Sequence, residues 1–244
     1  MERVTPPIRK AVILAAGRGT RMESLTDDCP KPMLPLDGRP MLAHQIERLE
    51  SVGIEQICII VGYKAEMVKE YFAENPPNIA TLHYELQETQ DGTGSATLLS
   101  KTFVDGEVFL MTFGDIMVDA SVYTKMFELA EGAEIVLTVK HVDDPYRGAA
   151  VYVDGDRVVN VIEKPPKGTS TTNFNNAGIY VFSPAVFEKL ARLKPSPRGE
   201  YELTDAAYES VTSGELVRWH EIKGFWRDVG RPEDLAPAGE FVSN

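Results

Sequence analysis

The chain has 244 residues, 43% of them apolar and 25% charged, which allows a substantial core and is ordinary for a soluble globular protein. Its formal net charge of −12 argues against nucleic acid or an anionic membrane surface as the main partner. Its two cysteines, Cys29 and Cys58, make neither a disulfide framework nor a metal site, and no apolar run approaches the ~20 residues that span a bilayer, so a cytoplasmic location is expected.

The first predicted element is a strand, Ala11-Val12-Ile13-Leu14-Ala15, apolar throughout and β-branched in the middle. It breaks into Ala16-Gly17-Arg18-Gly19-Thr20-Arg21. Two glycines there allow a sharp turn that points amide N–H groups into one cavity. Arg18, Arg21 and Lys31 add positive charge around it. Through Pro40 the chain carries seven Lys and Arg against five Asp and Glu, a local excess within a chain of net charge −12. N–H donors at a strand end, ringed by cations, suit phosphates and above all a triphosphate. No Gly-Lys-Ser/Thr follows, so this is not a Walker A loop. Met22 stands where the third glycine of a dinucleotide fingerprint would be.

Helical spacing of apolar residues follows over 41–52, closed by Gly53. A strand is predicted over 56–61, a helix over 64–72 stopped by Asn75-Pro76-Pro77, and a strand over 80–86. A helix start over 93–100, a strand over 107–112, a helix over 121–131 and a strand over 134–139 complete the first half. This alternation predicts a mostly parallel sheet covered on both faces. The second half differs. Strands over 148–153 and 158–163 are joined by Asp154-Gly155-Asp156, a hairpin signal. A strand over 178–182 precedes a helix with Ser183 as N-cap and Pro184 at its first position. A helix over 201–211, a strand over 216–220 and a weaker helix over 232–241 follow. The expectation is one α/β domain whose second half adds a small antiparallel layer.

Three further stretches could carry chemistry. Gln87-Glu88-Thr89-Gln90-Asp91-Gly92-Thr93-Gly94 follows the third strand. By composition it is a polar loop, though Gln87 offers the donor and acceptor that pair with the imide edge of uracil or thymine. In Phe113-Gly114-Asp115 a glycine precedes an Asp at a strand end, aiming a carboxylate at the crevice of the first loop. One or two carboxylates plus phosphate oxygens are the usual ligands of Mg²⁺. Glu163-Lys164 closes the hairpin with an acceptor for hydroxyls and a point charge for a phosphate. The histidines, His44, His83, His141 and His220, have no ligand spacing and read as structural.

LAAGRGTRM followed by PKPMLP resembles the sugar-1-phosphate nucleotidylyltransferases, and the later segments recur in that family's order. The resemblance implies a Rossmann-like nucleotidyltransferase fold, with a mixed, mostly parallel sheet flanked by helices. It implies transfer of a nucleotidyl group from an NTP, UTP or dTTP favoured, to a sugar 1-phosphate of glucose or N-acetylglucosamine type. It assigns Leu14, Ala15, Ala16, Gly17, Gly19 and Thr20 to the nucleotide, Arg21 to the departing phosphates and Lys31 to the α-phosphate. Gln87, with Gly92 and Thr93, would read the base. Asp115 and Asp228, the latter in Trp226-Arg227-Asp228-Val229-Gly230, would hold Mg²⁺. Lys164 would anchor the sugar phosphate. Gly148, Glu163 and Asn176 would contact the sugar, although Arg147 intervenes in the family's Tyr-Gly segment. Gly199-Glu200-Tyr201-Glu202-Leu203-Thr204-Asp205 would shape the pocket rim, Thr204 and Asp205 being structural.

On this reading residues 1–244 are one nucleotidyltransferase domain. About 8–140 would bind nucleotide and about 141–235 the sugar phosphate. No hexapeptide repeat appears, so no β-helix acyltransferase domain is expected. An oligomer is common in the family. The competing readings are a guanylyl- or cytidylyltransferase of the same fold acting on a mannose, heptose or other phosphate, and a non-catalytic nucleotide-sugar sensor.

Overall fold

The computed structural model describes residues 8–243. Strand β1 (Lys10–Leu14) buries Ala11, Val12 and Ile13 completely. Its first residue keeps a buried ammonium, satisfied by the carbonyls of Phe103 and Val104 at 3.1 Å each and by Glu107 at 2.7 Å. After the glycine loop come two 3₁₀ segments, Thr20–Thr26 and Lys31–Met33, the first anchored by the buried side chain of Met22. A minute hairpin, β2 (Pro35–Leu36) and β3 (Arg39–Pro40), leads into helix α1 (Met41–Ser51).

Strand and helix then alternate: β4 (Gln56–Val61), α2 (Ala65–Glu74), β5 (Thr81–Leu86), α3 (Thr93–Leu99) and α4 (Lys101–Val104). They continue with β6 (Phe109–Phe113), the short β7 (Ile116–Val118), α5 (Ser121–Leu129) and β8 (Ile135–His141). The second half holds β9 (Ala149–Asp154), β10 (Arg157–Glu163), β11 (Phe174–Phe182), α6 (Val186–Leu190) and α7 (Leu203–Thr212). It ends with β12 (Val217–Glu221), β13 (Trp226–Asp228) and α8 (Leu235–Ser243).

One nine-stranded sheet runs β5-β4-β1-β6-β11-β8-β12-β10-β9. The first four of these strands are mutually parallel, in register Lys10 to Gln56, Lys10 to Phe109 and Gln56 to Thr81. β11 then enters antiparallel between β6 and β8, so the fifth strand of the alternating half is not adjacent to the other four. The antiparallel layer expected of the second half is continuous with this sheet. The β9–β10 hairpin closes its far edge and β9 touches β11 at Asn175–Ala150.

The apolar strands have two buried faces, which is why they read as unbroken hydrophobic runs. Ala11, Ile13, Ile57, Ile59 and Val61 point into a core under α1, α2 and α5. Val12, Cys58 and Ile60 point the other way, into a core shared with Phe187, Leu190, Leu203 and Ala206 of α6 and α7. A third, small core joins Leu36 and Met41 to Met117, Val229 and Ala238, holding α8 against the first hairpin. No helix among the described residues is long and apolar enough to cross a membrane.

Several boundaries moved by one or two residues, β6 and α7 each starting two residues later than expected; two further shifts have an evident physical reason. β11 begins at Phe174 rather than Gly178, because Phe174, Asn175 and Asn176 pair with His141, Lys140 and Val139 despite the low strand preference of asparagine. The register then slips between Asn176 and Tyr180, where Gly178 adopts φ 79° with the Phe113 ring against its α-carbon. α6 starts at Val186. Ser183 Oγ still accepts the Ala185 N–H at 3.2 Å, but within a preceding turn.

α6, α7 and the start of β8 meet at a buried ion pair. Glu134 Oε1 accepts from Lys189 Nζ at 2.6 Å and from Ser210 Oγ at 3.4 Å, and both charged side chains are over 90% buried. Removing one partner leaves the other charge without compensation in the core. Lys189→Met is expected to cost about 3–5 kcal/mol in denaturant unfolding, and Lys189→Met with Glu134→Leu to recover most of it. Equal destabilisation by the single and double variants would show that packing, not charge, sets the cost.

Candidate active site

The crevice lies at the C-terminal ends of β1 and β6, where an open α/β sheet binds its ligand. The backbone of the first loop is held from three sides. Leu14 O accepts the Gly114 N–H at 2.9 Å, and the Ala15 N–H reaches Ile60 O at 2.9 Å. Ala16 O receives the Tyr63 N–H at 3.0 Å and Gln90 Nε2 at 2.9 Å. Gly17 faces open space. Gly19 sits at φ 72°, and a Cβ there would come within 2.8 Å of Lys31 Cβ, so this glycine makes room for the lysine stem. Thr20 opens the following 3₁₀ segment, exposed. Arg18 does not line the crevice: it lies 5.4 Å over the Tyr63 ring and 3.6 Å from Asp27.

Lys31 is over 90% buried and forms an ion pair with Asp115 Oδ2; Asp228 Oδ1 lies 3.7 Å from the same Nζ. Asp115 is placed by the turn between β6 and β7, braced by α1. Gln45 Nε2 donates to Phe113 O at 2.9 Å and to Ile116 O at 3.0 Å, one carbonyl on each side of Gly114-Asp115. Asp228 arrives on β13, which pairs antiparallel with β7 so that Asp228 stands opposite Ile116. The Val229 N–H then bonds Asp115 O at 2.9 Å. Asp234 steadies the turn beyond, accepting the N–H groups of Gly230 at 3.1 Å and Arg231 at 2.9 Å. Arg21 reaches this corner too: a Cβ on Gly230 would lie 3.3 Å from Asp228 Oδ1 and 3.6 Å from Arg21 Nη1. The two aspartates distant in sequence are therefore neighbours, with two cations between and beside them.

Burial, and then the charge of Asp115, push the Asp228 carboxyl up to about 6, while Lys31 and Arg21 pull the other way. Asp228 Oδ1 is buried without a hydrogen-bond partner. A buried acceptor with no donor, next to a second carboxylate, fits a hard divalent cation. Among the described residues no group of three or more His, Cys, Asp or Glu side chains could hold a metal, so phosphate oxygens would have to complete its shell.

Gln87, expected to read a base, is buried and its amide nitrogen donates to Gly92 O at 3.0 Å and Ser95 Oγ at 3.2 Å. The Gly-Thr-Gly segment has a packing duty of its own. A Cβ on Gly92 would strike Tyr201 O at 2.4 Å, and the Gly94 N–H bonds that carbonyl at 2.8 Å. Thr93 Oγ1 accepts the Leu203 N–H at 3.1 Å, at the start of α7.

Of the residues expected to meet a sugar phosphate, Glu163 ends β10 half-buried. Its carboxyl is raised above the usual range by burial, offset by the Thr204 hydroxyl at 3.0 Å. Lys164 is exposed in the left-handed region at φ 42°, and its N–H bonds Gly148 O at 2.8 Å. Such a conformation costs a non-glycine residue about 1 kcal/mol or more, and it turns the side chain out of the strand. Gly148 has no room for a side chain, because Asn175 Oδ1 would lie 2.4 Å from its Cβ. Asn176 bonds the Tyr180 hydroxyl and accepts the Gly178 N–H at 3.1 Å. Trp226 Nε1 donates to Ala177 O at 2.9 Å, tying the aspartate-bearing β13 to this segment.

Sequence reasoning passed over three residues here. Arg198 Nη2 meets Glu202 at 2.6 Å, Glu200 at 3.4 Å and Glu163 at 3.5 Å. Its position directly before the Gly199-to-Asp205 segment is the available signal. Gln45 and Gln90 carry no signal of their own: each acts through backbone carbonyls that only the fold brings near.

The family model described as "Nucleotidyl transferase" matches residues 10–244. The bifunctional protein GlmU of Methanococcus maripaludis is 39% identical over 235 residues, 96% of this chain and 54% of that protein. The chain thus spans about half the length of that relative. The UTP–glucose-1-phosphate uridylyltransferase AglF of Haloferax volcanii is 34% identical, over 92% of this chain and 93% of its own length. A UDP-glucose pyrophosphorylase solved with UDP-glucose superposes with a TM-score of 0.86 over 97% of this chain and 98% of the other. At 22% identity that likeness speaks for the fold alone. The chain belongs to the nucleotidyl transferase family.

Proposed function

We infer that the chain transfers a nucleotidyl group from an NTP to a sugar 1-phosphate, releasing pyrophosphate and forming an NDP-sugar. UTP or dTTP is favoured as donor, and a glucose- or N-acetylglucosamine-type 1-phosphate as acceptor. The observation that carries the reading is the meeting of Arg21, Lys31, Asp115 and Asp228 at the strand ends. AglF, matched along nearly its whole length, supports the donor and the hexose. The chain acts as one domain, about 8–140 serving the nucleotide and 141–235 the sugar phosphate.

An oxygen of the sugar phosphate attacks the α-phosphorus in line. The new O–P bond replaces the bond to the β-phosphate bridge oxygen, and pyrophosphate leaves with that electron pair. The attacking oxygen is ionised at neutral pH, so the chain needs neither a nucleophile nor a general base. Its task is to position and to neutralise charge. The amides of the first loop face the triphosphate, Arg21 takes the departing phosphates, Lys31 the α-phosphate and Lys164 the incoming one. Asp115 and Asp228 hold Mg²⁺, which when bound neutralises negative charge on the phosphates. Gln87 reads the base through its side-chain oxygen, its two amide hydrogens being taken by Gly92 O and Ser95 Oγ, and Gly148, Glu163 and Asn176 face the sugar.

Pyrophosphate release with Mg²⁺ is expected to give one dominant pair when UTP, dTTP, GTP, ATP and CTP are crossed with glucose, N-acetylglucosamine and mannose 1-phosphates. Silence throughout, with an NDP-sugar still binding, would favour the sensor. Lys31→Ala and Asp115→Asn are each expected to lower kcat/KM by about 10²-fold or more with the far-ultraviolet spectrum preserved. Parent-like values in either would sink the assignment of roles. Protons compete with metal for Asp228. At limiting Mg²⁺, kcat/KM should therefore fall about tenfold per pH unit below about 6, and raising Mg²⁺ should move that fall to lower pH. A fall that ignores Mg²⁺ would take Asp228 out of the metal site.

A further inference from the structure

The loop before Gly148 and the loop after β10 carry three cations, Arg147, Lys164 and Lys167, with which no carboxylate pairs among the described residues. In a chain of net charge −12 this runs against the composition. Two of the three share one aromatic ring. Arg147 Cζ and Lys167 Nζ each lie 5.4 Å from the centre of Tyr146. Arg147 is further fixed by its Nε, which donates to the Tyr146 hydroxyl at 2.9 Å. Asp144, on the same loop, forms no ion pair with any of the three; its oxygens accept the backbone N–H groups of Tyr146 at 3.3 Å and Gly168 at 2.8 Å. That pairing clamps the two loops together and holds like charges around the ring. Like charges held close repel, and an anion between them turns the repulsion into attraction.

We propose that, within the glucose-type acceptors, Arg147, backed by Lys167, selects those with a second negative group: a carboxylate at the sugar's C6, as in a hexuronic acid 1-phosphate. The inference rests on the reading of the chain as a sugar-1-phosphate nucleotidyltransferase. The terminal nitrogens of Arg147 make no hydrogen bond among the described residues, leaving a planar fork that matches a carboxylate with two bonds. The place along the chain separates this group from the 1-phosphate. Arg147 directly precedes Gly148, the residue facing the sugar, whereas Lys164 stands across the Lys164 N–H to Gly148 O bond on the phosphate side. Here the chain departs from the family's Tyr-Gly segment, and the added residue is the one that carries the free fork.

The test is pyrophosphate release with Mg²⁺ and each of UTP, dTTP, GTP, ATP and CTP, comparing glucuronic acid 1-phosphate with glucose 1-phosphate. The full-length parent, Arg147→Ala and Lys167→Ala are measured. In the parent, kcat/KM for the uronic acid should exceed that for glucose at least tenfold. Arg147→Ala should reduce that ratio at least tenfold through KM, and Lys167→Ala severalfold. Turnover of glucose 1-phosphate without preference for the acid overturns the proposal and leaves the broader function standing. A preference that survives Arg147→Ala overturns the assignment to this residue. Silence with both acceptors while N-acetylglucosamine or mannose 1-phosphate is turned over overturns this proposal alone; silence with all four acceptors and all five nucleotides overturns the broader reading and this one with it.

Discussion

The short pairing of β13 with β7 is the contact on which the rest of the site depends. Three residues on each strand suffice because the two aspartates sit at its end, and the Val229 N–H locks directly onto the Asp115 carbonyl. Without it Asp228 would not stand beside Asp115. The third small core, with Val229 and Ala238 packed on Leu36, Met41 and Met117, holds that return segment down. Apolar burial far from any substrate thus sets the separation of two charged groups.

The charge balance follows from the same contact. Two carboxylates close together in a partly dry corner repel, and burial together with that repulsion pushes the Asp228 carboxyl upward. Lys31 offsets it, and Gly19 is a glycine so that the lysine stem can lie flat beneath the loop. The loop, the lysine and the two aspartates form one unit: none has its geometry without the others.

Much of the layout was legible in the sequence. The runs at 11–15, 56–61 and 107–112 read as strands and fall on β1, β4 and β6, though β6 begins only at Phe109, and the Asp154-Gly155-Asp156 turn placed the β9–β10 hairpin. The position of β11 between β6 and β8 was not legible, because Phe174-Asn175-Asn176 lacks any strand pattern and its partners are set by tertiary pairing. β7 and β13 are too short to show a period. At the site, the charged residues announced themselves by type and by resemblance to a family. The residues that hold them, Gln45 beneath Asp115 and Asp234 beyond Asp228, bond backbone atoms and so leave no trace in spacing. Glycine proved an ambiguous sign. Gly92 and Gly94 look like a ligand loop, yet each has the Tyr201 backbone pressed against it.

That last packing has a consequence for how the family's chemistry can diversify. The loop bearing Gln87 and the segment from Gly199 to Asp205 are bonded to each other, Gly94 to Tyr201, Tyr201 to Asp91 and Leu203 to Thr93. A change that resizes one recess drags the wall of the other. On the roles proposed above, donor and acceptor preference change together, and an engineer who wants a new sugar with the old base must first loosen this seam.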